Sequence, residues 1–117
     1  IMGSISGIRP KVGRGFYGAS KAAVRIIAGV MAVERAHEGI LVNAGAPGTI
    51  ATPMIEAIAK IKNGSAFSPS GESPLGRVGQ PDDVVDVVQF FLSDAAKYVT
   101  GTVLPVDGGT RAAFMRK

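Results

Sequence analysis

The chain has no cysteine and a single histidine, His37. It therefore has no disulfide framework and no thiolate metal site, and one imidazole alone makes no zinc site. These absences fit a reducing cytoplasm. Acid is missing from the first 33 residues, which hold Arg9, Lys11, Arg14, Lys21 and Arg25. The formal charge of the whole chain is +4. A basic face raises nucleic acid as a partner. The cations are scattered, however, and few aromatics accompany them, so the better reading is a solvated face or one that meets acids elsewhere. Long apolar runs are lacking too. The longest is broken at Arg25 and Glu34, which argues against a bilayer span and a membrane partner. The first residues lack the charged start of a secretory signal.

At 46% hydrophobic and 19% charged residues, the chain reads as globular rather than disordered. Its 117 residues fit at most one domain with a modest core. The opening "IMGSIS" reads as the end of a buried strand, so the sequence is expected to be a fragment.

Hydrophobic patterning gives an alternating order of elements. Residues 1–5 read as a strand end and 6–15, with three glycines and a proline, as loop. A helix is expected over 17–37, stopped by Gly39. Val24, Ile27, Val30 and Met31 recur at helical spacing as its inward face, and Ala23, Ile26 and Val33 widen that face towards a second surface. "ILVNAGA", 40–46, reads as a buried parallel strand. Thr52-Pro53 starts a short helix through Lys60, with Thr at the N-cap. Residues 61–80 read as a long loop, and 54–74 as a lid. Gln80-Pro81-Asp82-Asp83 starts a helix to about Leu92, with Val84, Val87, Val88 and Phe91 inward. "GTVLPVDGG", 101–109, is the last strand. This alternation predicts a parallel α/β sheet with right-handed crossovers.

Tyr17 and Lys21 stand at i and i+4, on one helix face. An ammonium beside a phenol stabilises the phenolate, and such a phenol can exchange a proton with an alcohol or ketone near neutral pH. The spacing alone also fits an ordinary surface pair. Ser4 lies thirteen residues earlier, at a strand end. Its hydroxyl could meet the phenol across a cleft at the C-terminal strand ends, where open α/β sheets bind ligands.

Three further blocks follow in order: "VNAGAPGTIATPM", "PLGRVGQPDDV" and "YVTGTVLPVDGG". With "FYGASKAAV" they resemble the C-terminal half of the short-chain dehydrogenase/reductase family over nearly the whole chain. The resemblance implies a partial, doubly wound Rossmann-type α/β fold, residues 1–117 being the catalytic half of one such domain. It implies NAD or NADP as cofactor and a small alcohol or ketone as substrate. Tyr17 matches the family's catalytic acid/base. Lys21 matches the lysine that favours the phenolate and hydrogen-bonds the nicotinamide ribose. Ser4 matches the serine that holds the substrate oxygen, and Ser6 is taken as structural. Pro47 and Gly48 match the turn under the nicotinamide ring. The Ile50 backbone and the Thr52 hydroxyl match contacts to the carboxamide end. Arg77 matches a residue that supports the loop–helix junction. The family's long helix, here 17–37, commonly packs on its copy, so a homo-oligomer, dimer or tetramer, is implied.

Asn43 and Asp107 read as braces: a buried amide must be bonded, and Asp before Gly-Gly is a turn residue. His37 reads as a helix-end residue that meets the dipole. The chain contains no glycine-rich turn after a first strand, the element that holds a pyrophosphate and governs NAD against NADP. Three readings stay open: the catalytic half of an oxidoreductase, a non-enzymatic remnant that keeps only an oligomerisation surface, and, weakly, a basic interaction module.

Overall fold

The computed structural model describes residues 1–60 and 73–112. The middle of the expected lid, residues 61–72, lies outside them. Among the described residues, three α-helices and two strands form the frame: α1 (Gly15–Arg35), β1 (Ala44–Pro47), α2 (Pro53–Lys60), α3 (Pro81–Leu92) and β2 (Val103–Val106). The strands are parallel, with Ala44 opposite Val103 and Pro47 opposite Val106. Met2 makes an isolated parallel bridge to Gly45. The Gly3 N–H donates to the Gly45 carbonyl at 2.8 Å, and the Gly45 N–H to the Ile1 carbonyl at 3.0 Å. Alternate residues of a parallel strand bond to opposite neighbours. Gly45 therefore bonds to the opening segment on one edge while Ala44 and Gly48 bond towards β2, leaving β1 in the middle. The opening residues run beside the sheet as a strand end, then turn into a 3-10 helix at Ile5–Gly7.

Strand β1 is shorter and later than the expected 40–46. Before Ala44, side chains supplement the backbone pairing, of which the Gly101 N–H to Val42 carbonyl bond at 2.8 Å remains. The Val42 N–H donates to Thr100 Oγ1 at 3.0 Å, and the Asn43 amide donates to the Val99 carbonyl at 2.8 Å. Asn43 Oδ1 in turn accepts from the Thr102 N–H at 3.2 Å. Asn43 is thus the brace expected of a buried amide. Strand β2 likewise ends at Val106, because Asp107 folds the chain back. Its carboxylate accepts from the Gly109 N–H at 3.0 Å and the Arg111 N–H at 2.7 Å.

Helix α1 starts two residues before the expected Tyr17. It ends in a 3-10 turn, Ala36–Glu38, capped by Gly39 at φ 75°, where a left-handed backbone favours glycine. Its inward face differs from the expected one. Ala28 and Ala32, one turn apart, are the buried residues, clustered with Val42 and Ala44 and packed on by Val103. Val24 is half-buried, whereas Ile27, Val30 and Met31 are exposed. Two alanines let the helix axis approach β1 closely, so the larger side chains fall to either side. In α3 the inward residues are Val84, Val87 and Phe91, with Val88 at the margin. Gly15–Glu38 is long and apolar enough to cross a membrane by length and composition. Arg25 and Glu34 therefore do not exclude a span on hydropathy. The packing of Ala28 and Ala32 on β1 is that of a core helix in an α/β layer.

Candidate active site

Tyr17 lies in the first turn of α1 and is 44% exposed. One turn on, Lys21 places its ammonium nitrogen 5.9 Å from the centroid of the Tyr17 ring. The same ammonium donates to the Met2 carbonyl at 3.4 Å, which ties α1 to the opening strand segment. Arg14 occupies the N-cap position of α1 without a side-chain capping bond, and its guanidinium carbon lies 5.9 Å from the same ring centroid.

Ser4 sits where the opening strand segment gives way to the 3-10 turn, with an extended backbone at φ −166°. Its Oγ accepts from the Ser6 N–H at 3.2 Å. That bond uses a lone pair, and the hydroxyl keeps its own proton to give. The 3-10 turn lies directly on α1 because Gly7 has no side chain. A Cβ there would lie 2.4 Å from the Lys21 carbonyl carbon. Gly18 makes the matching concession, since a Cβ on it would lie 3.0 Å from the Ser6 carbonyl oxygen. These two glycines set the distance between the Ser4 loop and the Tyr17 helix.

Beyond β1 the chain passes Gly48, where a Cβ would lie 2.9 Å from that of Asp107. Ile50 then bridges in parallel to Gly79. Thr52 Oγ1 accepts from the Ile55 N–H at 3.4 Å and so caps α2, as expected.

Ser4, Tyr17, Gly48, Ile50 and Thr52 line one cleft of about 400 Å³. Ile5, Met54, Ile55 and Ile58 give it apolar walls, and Lys11 and Arg14 also line it. Lys21 stands behind Tyr17 rather than on the wall, and Pro47 is half-buried at the end of β1. A larger hollow of about 490 Å³, between Arg77 and the Asp107 turn, contains none of the expected site residues. His37 lies in the Ala36–Glu38 turn and faces Glu38 at 3.7 Å. Among the described residues no group of three or more His, Asp or Glu is placed to hold a metal.

Sequence reasoning passed over Gly7, Gly18, Lys11 and Arg14. The glycines are one feature of a glycine-rich loop until its packing on α1 is known. The cations were visible as an acid-free stretch, but that pattern does not say which of them reach the cleft.

A parallel α/β layer with a ligand-sized cleft beyond a strand's C-terminal end is the architecture of dinucleotide-handling proteins. Comparison with known proteins narrows this class. The family profile described as enoyl-(acyl carrier protein) reductase matches residues 1–111. The diacetyl reductase [(S)-acetoin forming] of Staphylococcus aureus is 40% identical over 116 residues, covering 92% of this chain and 45% of the relative. Among solved structures, ElxO with NADP bound is 32% identical with a TM-score of 0.83, over 96% of this chain and 45% of that one. The 4-hydroxyisoleucine dehydrogenase complexed with NADH is 30% identical with a TM-score of 0.78, over 97% of this chain and 45% of that one. The chain belongs to the short-chain dehydrogenase/reductase family. It spans less than half the length of these relatives.

Proposed function

We propose that residues 1–117 are the C-terminal, catalytic half of one Rossmann-type domain in an NAD(P)-dependent oxidoreductase of small alcohols and ketones. The observation that carries this reading is the meeting of Ser4 and Tyr17 in one cleft, with Lys21 one turn behind the phenol. The cleft suits the nicotinamide end of a dinucleotide. Gly48 offers bare backbone, Ile50 a backbone contact and Thr52 a hydroxyl, with Pro47 fixing the turn. Lys21 would hold a ribose hydroxyl as well as steady the phenolate. When bound, the nicotinamide supplies or accepts the hydride.

The chain's own residues handle the oxygen and its proton. In the reductive direction the Ser4 hydroxyl donates to the carbonyl oxygen and holds it at the phenol. Tyr17 gives its proton to that oxygen as negative charge develops there. The Lys21 ammonium stabilises the phenolate left behind. In the oxidative direction the Tyr17 phenolate takes the proton of the alcohol. A small ketone is in keeping with the diacetyl reductase among its relatives. The cytoplasm is the fitting compartment, and a homo-oligomer, dimer or tetramer, the fitting assembly.

The test is Tyr17→Phe in the intact protein that carries this segment. Only a hydroxyl is removed, and proton transfer of this type is worth roughly 10²–10⁴-fold. Turnover should fall by that factor while the fold persists. Near-parental turnover would remove Tyr17 from the mechanism.

A further inference from the structure

The turn that follows β2 touches two segments that line the cleft. The first is the Gly48 turn. The Gly48 N–H donates to the Val106 carbonyl at 3.0 Å, and a Cβ on Gly48 would press on that of Asp107. The second is the loop that carries Ser4. Half-buried Arg9 reaches out of that loop and donates through Nη1 to the Thr110 carbonyl, 101 positions along the chain. Each end of this tie is itself held. The Gly7 N–H donates to the Ser4 carbonyl at 3.0 Å, and the Ile8 and Arg9 N–H groups donate to the Ile5 carbonyl at 3.0 and 2.8 Å. Ser4 and Arg9 therefore belong to one hydrogen-bonded piece. At the other end, the Thr110 N–H and hydroxyl both donate to the Asp107 carbonyl, at 3.1 and 2.8 Å. The Asp107 carboxylate, bonded to Gly109 and Arg111, closes the same turn. Ser73 packs against it from behind, where a Cβ on Gly108 would lie 2.7 Å from that of Ser73. A continuous series of contacts thus runs from Ser4 through Arg9, Thr110 and Asp107 to Gly48.

We infer that Arg9 is a positioning residue for the reaction: by holding the Ser4 loop to the Asp107–Thr110 turn, it sets the Ser4 hydroxyl against the Gly48 turn, where the nicotinamide end would lie. This rests on the redox reading above and adds to it a residue outside the proton relay. Gly7 and Gly18 set Ser4 against the phenol, and Arg9 sets it against the cofactor. Both distances matter, because Ser4 holds the substrate oxygen while the neighbouring carbon must face the nicotinamide. A misplacement of about 1 Å in such a site costs up to about 10²-fold. A guanidinium suits the task, since a charge-assisted N–H bond to a carbonyl is stronger than a neutral one.

The experiment follows diacetyl reduction by the intact protein with NADH and with NADPH. Sites are counted by fluorescence titration of the bound nucleotide. In Arg9→Ala, kcat per nucleotide-binding site should fall about tenfold or more, with the nucleotide Kd near its parental value. Arg9→Lys should recover part of the loss, because an ammonium also donates to a carbonyl. Parental kcat in Arg9→Ala overturns the inference. So does a fall that merely tracks lost nucleotide sites, which would make Arg9 a residue of folding alone. Asp107→Asn tests the route through the turn, since it replaces one of the two carboxylate acceptors. Combined with Arg9→Ala, its effect on kcat should be less than additive, and full additivity overturns the route. Hydrogen exchange read by mass spectrometry judges the tie without turnover. In Arg9→Ala the amides of residues 7–9 and of 109–111 should both exchange faster than in the parent, and unchanged exchange in either segment overturns the tie. No diacetyl reduction by the parent with either nucleotide counts against the redox reading instead, and the exchange result then decides the tie by itself.

Discussion

Asp83 joins two segments with one carboxylate. The Arg77 guanidinium donates to it twice, Nη1 to Oδ2 at 2.6 Å and Nη2 to Oδ1 at 2.7 Å. The Gln80 N–H adds a third bond to Oδ2 at 2.6 Å, at the start of α3. The Arg77 hydrogen bond, followed by the Gln80 backbone bond, holds the Asp83 carboxyl well below the usual carboxylate range. A carboxyl that is more acidic folded than unfolded stabilises the fold above its unfolded value, near ~4, and loses that contribution as pH falls through the folded value. The pair is at the surface, so the effect is modest. Asp83→Asn should lower Tm at pH 7, and the gap from the parent should narrow below about pH 4. Thermal melts across this range check it, and a gap that stays constant to pH 3 would separate the effect from ionisation. The supporting role of Arg77 was implied by the resemblance of "PLGRVGQPDDV" to the family, whereas its pairing with Asp83 became visible only in the structure. The Lys11 and Arg14 placement was not legible, because nothing local in a glycine-rich loop says which way its side chains face.

Helix α1 meets the Ser4 loop at one end and presents an apolar arc along its length. At the first contact, Gly7 leaves no room for a methyl group against the Lys21 backbone. Gly7→Ala should lift the 3-10 turn off the helix and move Ser4 from Tyr17. Displacements of about 1 Å in such a site cost up to about 10²-fold, so kcat of the intact protein should fall at least about tenfold with helix content retained. Parental kinetics would show that the loop–helix distance does not set the reaction geometry. Along the arc, Ile26, Ile27, Val30 and Val33 are 60%, 52%, 49% and 79% exposed. Monomeric proteins rarely leave such a contiguous patch in water. If α1 packs on a second copy, Ile26→Asp or Val30→Asp removes a contact worth roughly 1.5–3 kcal/mol per side chain and adds a buried charge. Sedimentation should then show the intact protein falling to a smaller assembly, and unchanged mass with both variants folded would refute the contact. The width of this apolar arc was readable from the sequence. Which side faces the sheet was not, because periodicity weights large residues and the packing used Ala28 and Ala32 for closeness.

At the scale of the whole molecule, the strand–helix alternation and the parallel sheet were legible because long periodic segments and Gly/Pro stops are local signals. The length of β1 was not, since the pairing of Asn43 with Val99 and Thr102 spans more than 50 residues of chain. The buried apolar residues described are Ala28, Ala32, Val42, Ala44, Ala46 and Ala96, and no large side chain among the described residues is fully buried. A core of alanines and one valine returns little hydrophobic energy against the entropy of ordering the backbone, which costs about 1–2 kcal/mol per residue. The opening segment adds to this, with Ile1 51% and Met2 46% exposed beside β1. The cofactor contacts at Pro47, Ile50 and Thr52 reach only one end of a long ligand, and no glycine-rich turn in these residues holds its phosphates. The 117-residue chain by itself should therefore show no sharp cooperative melt by circular dichroism, and should bind neither NADH nor NADPH measurably in a fluorescence titration. A monomeric chain that melts cooperatively and binds either nucleotide with a Kd near ~10 μM, about −7 kcal/mol, would show that this small core and one end of the nicotinamide site suffice.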